Sequence, residues 1–97
     1  MMEFLVIVCS ATLQDEIDAL FDRLQVKGYT HIPEATGSGK GGGTRLNDEI
    51  WPGENSVYFI AVSKDQSEKI KNWIRAYRQK PLREGLKLFA LPLHEVI

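Results

Sequence analysis

Apolar residues along this chain fall into four short runs and two spaced arrays. The runs are Phe4–Val8, Tyr29–Ile32, Ser56–Val62 and Leu86–Leu91, rich in β-branched and aromatic residues. Runs of that length and composition predict β-strands. The arrays are Leu13, Ile17, Leu20, Phe21 and Leu24, then Ile70, Trp73, Ile74 and Tyr77. Spacings of three and four place each array on one face of a helix. Thr12 with Asp15, and Ser63 with Gln66, predict the two helix starts. Gly28 is expected to close the first helix, because glycine tolerates a left-handed end. Pro33 is expected to stop the second strand, and Pro81 to end the second helical region. Leu93–Ile97 predicts a further short strand.

The order is βαββαβ in two similar halves. That predicts an α+β, ferredoxin-like sandwich: one antiparallel four-stranded sheet with both helices on one face. The central strands break the expected alternation. Phe4, Val6 and Val8 oppose Leu5, Ile7 and Cys9; Val57, Phe59 and Ala61 oppose Tyr58, Ile60 and Val62. A sheet with helices on one side only should show a polar second side. Here both sides are apolar, and no spare element is long enough to cover the second. An oligomer built sheet against sheet answers this most simply.

Composition narrows the setting. The chain has 97 residues, which fits a single domain spanning 1–97. Its 12 basic and 13 acidic residues give a net charge of −1. No global basic field draws nucleic acid, and the aromatics Phe4, Tyr58 and Phe59 lack an RNA-binding pattern around them. The single cysteine, Cys9, allows no internal disulfide and fits a reducing, cytoplasmic protein. The opening MMEFLVIVCS has no basic leader and reads as a strand.

The unusual segment lies between the second and third strands. It is a connection of about 23 residues, 33–55, in which TGSGKGGGTRLNDEIWPGENS spans 36–56. GSGK is not a P-loop. Glu34 stands where that motif needs its first glycine, and Gly41 where it needs Ser or Thr. Glycines 37, 39, 41, 42 and 43 predict a segment with little reason to order alone. Arg45, Ile50 and Trp51 follow, and an apolar tip of that kind suits docking into a partner's pocket.

In their order, FLVIVCSATLQDEIDALFDRLQVKGYT, GSGK, IAVSKDQSEKIKNWI and REGLKLFALPLHEVI resemble the PII-type signal-transduction family over nearly the whole chain. The first resembles that family's first strand, helix and entry to strand two; GSGK resembles the base of its mobile T-loop. The third is similar to strand three running into helix two. The last resembles the end of its nucleotide-binding B-loop and strand four. The resemblance implies a homotrimeric sensor, not an enzyme. It binds ATP or ADP between subunits and controls a target enzyme or membrane transporter through the T-loop. By matching position it implies nucleotide contacts at Thr30, Gly37, Gly39, Lys40, Gly85 and Lys87, and partner docking at Arg45, Ile50 and Trp51.

The sequence also departs from the family. KPLREGLK keeps one B-loop glycine and adds Glu84, and ENSV stands where a lysine helps bind 2-oxoglutarate. The expectation is a divergent member that senses an adenine nucleotide, another anion or a metal, rather than nitrogen status in the usual form. The alternative reading is a metal-handling trimer of PII-like or CutA-like type, with Cys9, His31, Asp48, Glu49, Glu54 and His94 as candidate ligands. No pair of the Cys and His residues has zinc-motif spacing. An acylphosphatase-like enzyme would need an arginine in the first loop, and CSATLQ has none.

Overall fold

The computed structural model describes residues 2–36 and 54–97. Its elements are β1 (Met2–Ser10), a 3-10 turn (Ala11–Leu13), α1 (Gln14–Arg23), β2 (Tyr29–Ala35), β3 (Asn55–Ser63), α2 (Lys64–Tyr77) and β4 (Leu86–Pro92). The strands form one antiparallel sheet in the order β2-β3-β1-β4. The βαββαβ expectation therefore holds. β3 is inserted between β1 and β2, which makes each half a split βαβ unit.

Both helices pack on one face of the sheet. Leu5, Ile7 and Cys9 of β1 and Tyr58, Ile60 and Val62 of β3 meet Ile17, Leu20, Phe21, Ile70, Ile74 and Tyr77 in one buried core. Phe21 sits edge-on to Tyr58, with centroids 5.6 Å apart. The odd-numbered positions of β1 are those beneath the helices, as the alternation predicts.

The second face is apolar too. Phe4, Val6, Val8, Val57 and Phe59 lie half-buried on it, and Phe4 stacks on Phe59 at 6.0 Å. The register adds Ile32, Phe89 and Leu91, which remain 43%, 49% and 46% exposed. No described element covers this face.

Four local expectations are corrected. Thr12 does not cap the first helix. Ser10 caps the 3-10 turn, its hydroxyl accepting from the Thr12 N–H, and α1 has no side-chain cap at Leu13. Gly28 does not close α1. The left-handed residue is Gln25, at φ 59. The Val26 N–H donates to Phe21 O at 2.9 Å and the Gln25 N–H to Asp22 O at 3.1 Å, the paired bonds of a Schellman end. Val26 and Phe21 are both buried, so the apolar clasp across that end selects the turn even though its left-handed position is not glycine. Pro33 does not stop β2, which runs on to Ala35. β2 is an edge strand with a register shift between Ile32 and Ala35, a place where proline's missing N–H costs no ladder bond. Glu34 within that shift has φ 58. Finally, Leu93–Ile97 forms no strand.

α2 starts as expected. Ser63 accepts from the Gln66 N–H at 3.1 Å, and the Gln66 side chain accepts from the Ser63 N–H at 3.2 Å. Among the described residues no helix is long and apolar enough to cross a membrane.

Candidate functional site

The end of the sheet where β1 finishes gathers three segments. Ala35 pairs with Asn55 across β2 and β3, so the connection 36–54 leaves and returns at one point. The Asn55 Nδ2 donates to Ala35 O at 3.4 Å, and the Ala11 N–H donates to Glu54 O at 3.2 Å. The Ser10 N–H donates to Gly85 O at 2.9 Å. The foot of the long connection and the segment preceding β4 are thus both hydrogen-bonded to the turn after β1. Three polar residues are buried there: Ser10 at 7%, Asn55 at 1% and Ser56 at 0% exposure. The Ser56 hydroxyl donates to Gln14 Oε1. Buried polar groups persist where they are bonded, so this end is a fixed polar platform.

The segment ahead of β4 is anchored from α2. The Glu84 N–H donates to the Tyr77 hydroxyl at 2.6 Å, and Arg78 Nη1 donates to Leu86 O at 2.6 Å. Arg83 Nη1 donates to Lys80 O at 2.6 Å, and the Lys80 ammonium lies 5.3 Å from the Tyr77 ring centre.

The expected nucleotide contacts are distributed unevenly. Gly85 is buried, its carbonyl held by Ser10. Thr30 is exposed on β2 opposite Phe59, and Lys87 is half-buried on β4 opposite Val8. β3 and β1 lie between those two strands, so Thr30 and Lys87 stand three strand spacings apart, about 14 Å. One protomer does not bring them together. Gly37, Gly39, Lys40, Arg45, Ile50 and Trp51 lie outside the described residues.

Lys87 has other company. It lines a groove of about 350 Å³ between α2 and β4 together with Lys71, Arg75 and Arg78. Arg75 and Arg78 were not singled out from the sequence. Their only signal was a basic pair three residues apart at the end of an amphipathic helix, which usually marks a solvated face or a complement to the helix dipole.

A second polar group lies beneath α1 at the β2 edge. The Tyr58 hydroxyl donates to Asp18 at 3.4 Å, and the His31 ring stacks on Tyr58 at 4.3 Å. Burial first, and the Asp18 carboxylate second, push the Tyr29 and Tyr58 hydroxyls above the usual range. Among the described residues the metal candidates do not converge. Cys9 is 2% exposed beneath the helices, and burial with the nearby Asp18 pushes its thiol up to about 12, which opposes the thiolate a metal needs. His31 packs on Tyr58, while His94 lies beyond Pro92, at the opposite end of β1 from Cys9. Asp48 and Glu49 lie outside the described residues. Among the described residues no group of three or more His, Cys, Asp or Glu side chains could hold a metal ion.

Comparison with known proteins gives a consistent family. A family model described as Nitrogen regulatory protein P-II matches residues 2–97. No curated protein sequence matches the chain. Among solved structures, a PII-like signalling protein from Thermus thermophilus superposes with TM-score 0.63 at 22% identity, covering 92% of this chain and 83% of that one. CPII, a nitrogen regulatory PII-like protein from Thiomonas intermedia bound to ADP, AMP and bicarbonate, gives TM-score 0.63 at 15% identity, covering 99% and 96%. Its apo form gives TM-score 0.63 at 15% identity over 93% and 88%. At these identities the structures show the shared fold.

Proposed function

The chain belongs to the nitrogen regulatory protein P-II family, and on that premise we propose that it is a homotrimeric sensor of an adenine nucleotide that acts on a target protein through residues 36–56. The observation that carries this reading is the convergence at the end of β1. The connection's returning foot and Gly85 flank the adjacent N–H groups of Ser10 and Ala11, which bond Gly85 and Glu54, while its leaving foot at Ala35 pairs with Asn55 one strand further out. A ligand held between the GSGK foot of one subunit and the segment before β4 of its neighbour would bear directly on the loop's geometry, which is the two-state element a regulator needs.

The remaining parts follow. Gly37 and Gly39 let backbone N–H groups approach phosphate oxygens, and Lys40 supplies the charge. Thr30 and Lys87 stand on opposite edges of one sheet, so they serve one nucleotide only when different subunits supply them. The apolar helix-free face supports such an assembly, because closing three copies around it removes Phe89, Leu91 and Ile32 from water. CPII is bound to ADP, AMP and bicarbonate in two of its matched structures, which supports an adenine nucleotide as the first effector to test. Arg45, Ile50 and Trp51 then form the docking tip for a target enzyme or membrane transporter.

Isothermal titration with ADP and ATP tests the reading. Wild type should bind at least one of them below millimolar concentration. Lys40→Ala should weaken that binding by about 1.5–3 kcal/mol, the scale of a charge-assisted hydrogen bond. Trp51→Ala should leave it unchanged and weaken only the partner complex. No heat from wild type at millimolar nucleotide would refute the effector assignment.

A further inference from the structure

We propose that the groove between α2 and the β4 edge, which Lys87 borders, binds a small phosphate monoester, its phosphate between Arg75 and Arg78 and its organic part on Ile74, Leu88 and Ala90. The inference shares Lys87 with the nucleotide reading and otherwise stands apart from it.

Charge is the first reason. The chain carries a net charge of −1, yet four cations line this one groove. Two carboxylates sit at its Lys71 end. Lys71 is paired with Glu3 at 2.9 Å and with Glu68 at 3.7 Å, and Glu3 is held below the usual carboxylate range by Ser67 first and by Lys71. The positive potential of the groove is therefore displaced toward Arg75, Arg78 and Lys87. Grouping like charges raises their mutual repulsion, which a bound dianion would relieve.

Geometry is the second reason. Arg78 Nη1 is fixed on Leu86 O at 2.6 Å, and Arg75 Nη1 on the Asn72 side chain at 3.0 Å. Two guanidinium groups so anchored lose little freedom when an oxyanion arrives, and their planar forks suit phosphate better than a point charge does. Arg75 sits on the exposed side of α2 and its bond returns to its own helix, so it ties no two elements together. Shape is the third reason. The volume of about 350 Å³ lies in the range of small-molecule pockets, and Ile74, Leu88 and Ala90 give it an apolar side. An inorganic ion alone would leave that side wet.

Amide chemical-shift titration of the ¹⁵N-labelled full chain tests this with phenyl phosphate, inorganic phosphate and phenol as probes. Phenyl phosphate should shift the amides of Arg75, Arg78, Lys87 and Leu88, bind at least tenfold more tightly than inorganic phosphate, and leave phenol without effect. Arg75→Gln should weaken phenyl phosphate at least tenfold. Lys69→Gln, on the solvent side of the same helix and paired with Asp65 at 3.3 Å, should stay within twofold. Equal losses in both variants would mean a diffuse field rather than a site and would overturn the proposal. So would shifts located elsewhere, equal affinity for inorganic phosphate, or loss of the phenyl phosphate shifts in saturating ADP, which would make the groove part of the nucleotide site. If Arg75→Gln does not fold, the wild-type shift map and the probe series decide alone.

Discussion

Replacing Phe89 by aspartate should dissociate the proposed trimer. Phe89 lies on the helix-free face, paired with Val6 across β1 and β4, and 49% of its surface meets solvent in a single chain. A phenylalanine carries about 200 Å² of surface, so about 100 Å² is left for a partner to cover. At roughly 25 cal/mol per Å², covering it contributes about 2.5 kcal/mol per subunit, or about 7.5 kcal/mol for a closed trimer. The dissociation midpoint of a trimer varies as the square root of its dissociation constant, so that loss raises the midpoint about 500-fold. An ionised carboxylate on an apolar face that an assembly buries adds a desolvation cost of the same sign. Light scattering during size exclusion at micromolar concentration is the assay. Wild type should run at three times the 11.0 kDa chain mass and Phe89→Asp at the chain mass itself. Glu16→Lys, on the exposed side of α1, should keep the wild-type mass. A wild-type monomer, or a Phe89→Asp protein of undiminished mass, would refute the argument from the uncovered face.

Three further outcomes follow from local structure. Gln25→Gly should raise stability by about 0.5–1 kcal/mol in urea unfolding, because Gln25 sits at φ 59 and is exposed; an unchanged midpoint would show that the Schellman turn carries no strain. Glu3→Gln should lower stability at neutral pH and flatten the acid limb. The Glu3 carboxyl is held below its reference value of 4.5 in the fold, so its contribution is present above that value and lost as pH falls through the lower folded one. Parallel urea midpoints for the two proteins from pH 7 to pH 3 would contradict this. Cys9, buried with its thiol pushed up to about 12, should resist alkylation at pH 8.5 until denaturant unfolds the chain; stoichiometric labelling of the native protein within minutes would show that β1 is not buried as described.

Element type was legible in the sequence because each signal is local. Period-two and period-3.6 patterns follow from backbone geometry over a few residues, and the observed strands extend the expected runs by a residue or two at most ends. The Ser63–Gln66 capping box was legible for the same reason. The doubly apolar character of β1 and β3 was legible in the residue order alone, since alternation assigns the faces without reference to neighbours. Thr12, Gly28 and Pro33 misled because a local preference was outweighed by a contact. Ser10 lies at the junction with Gly85, the Phe21–Val26 clasp places the left-handed turn at Gln25, and the edge position of β2 excuses Pro33.

The site was decided at the tertiary level. Thr30 and Lys87 are far apart in sequence and both are expected nucleotide contacts, yet the order β2-β3-β1-β4 sends them to opposite edges of the sheet. Arg75 and Arg78 look like an ordinary helix end until α2 lies over the start of β4 and sets them beside Lys87. The returning foot of the long connection and Gly85 bond the same two residues, Ser10 and Ala11, only because β1 ends between β3 and β4. Strand order and helix placement come from burying all the apolar faces at once, a condition on the whole chain. Residue patterns a few positions long can therefore name the elements of this protein, while only their packing chooses which charges become neighbours.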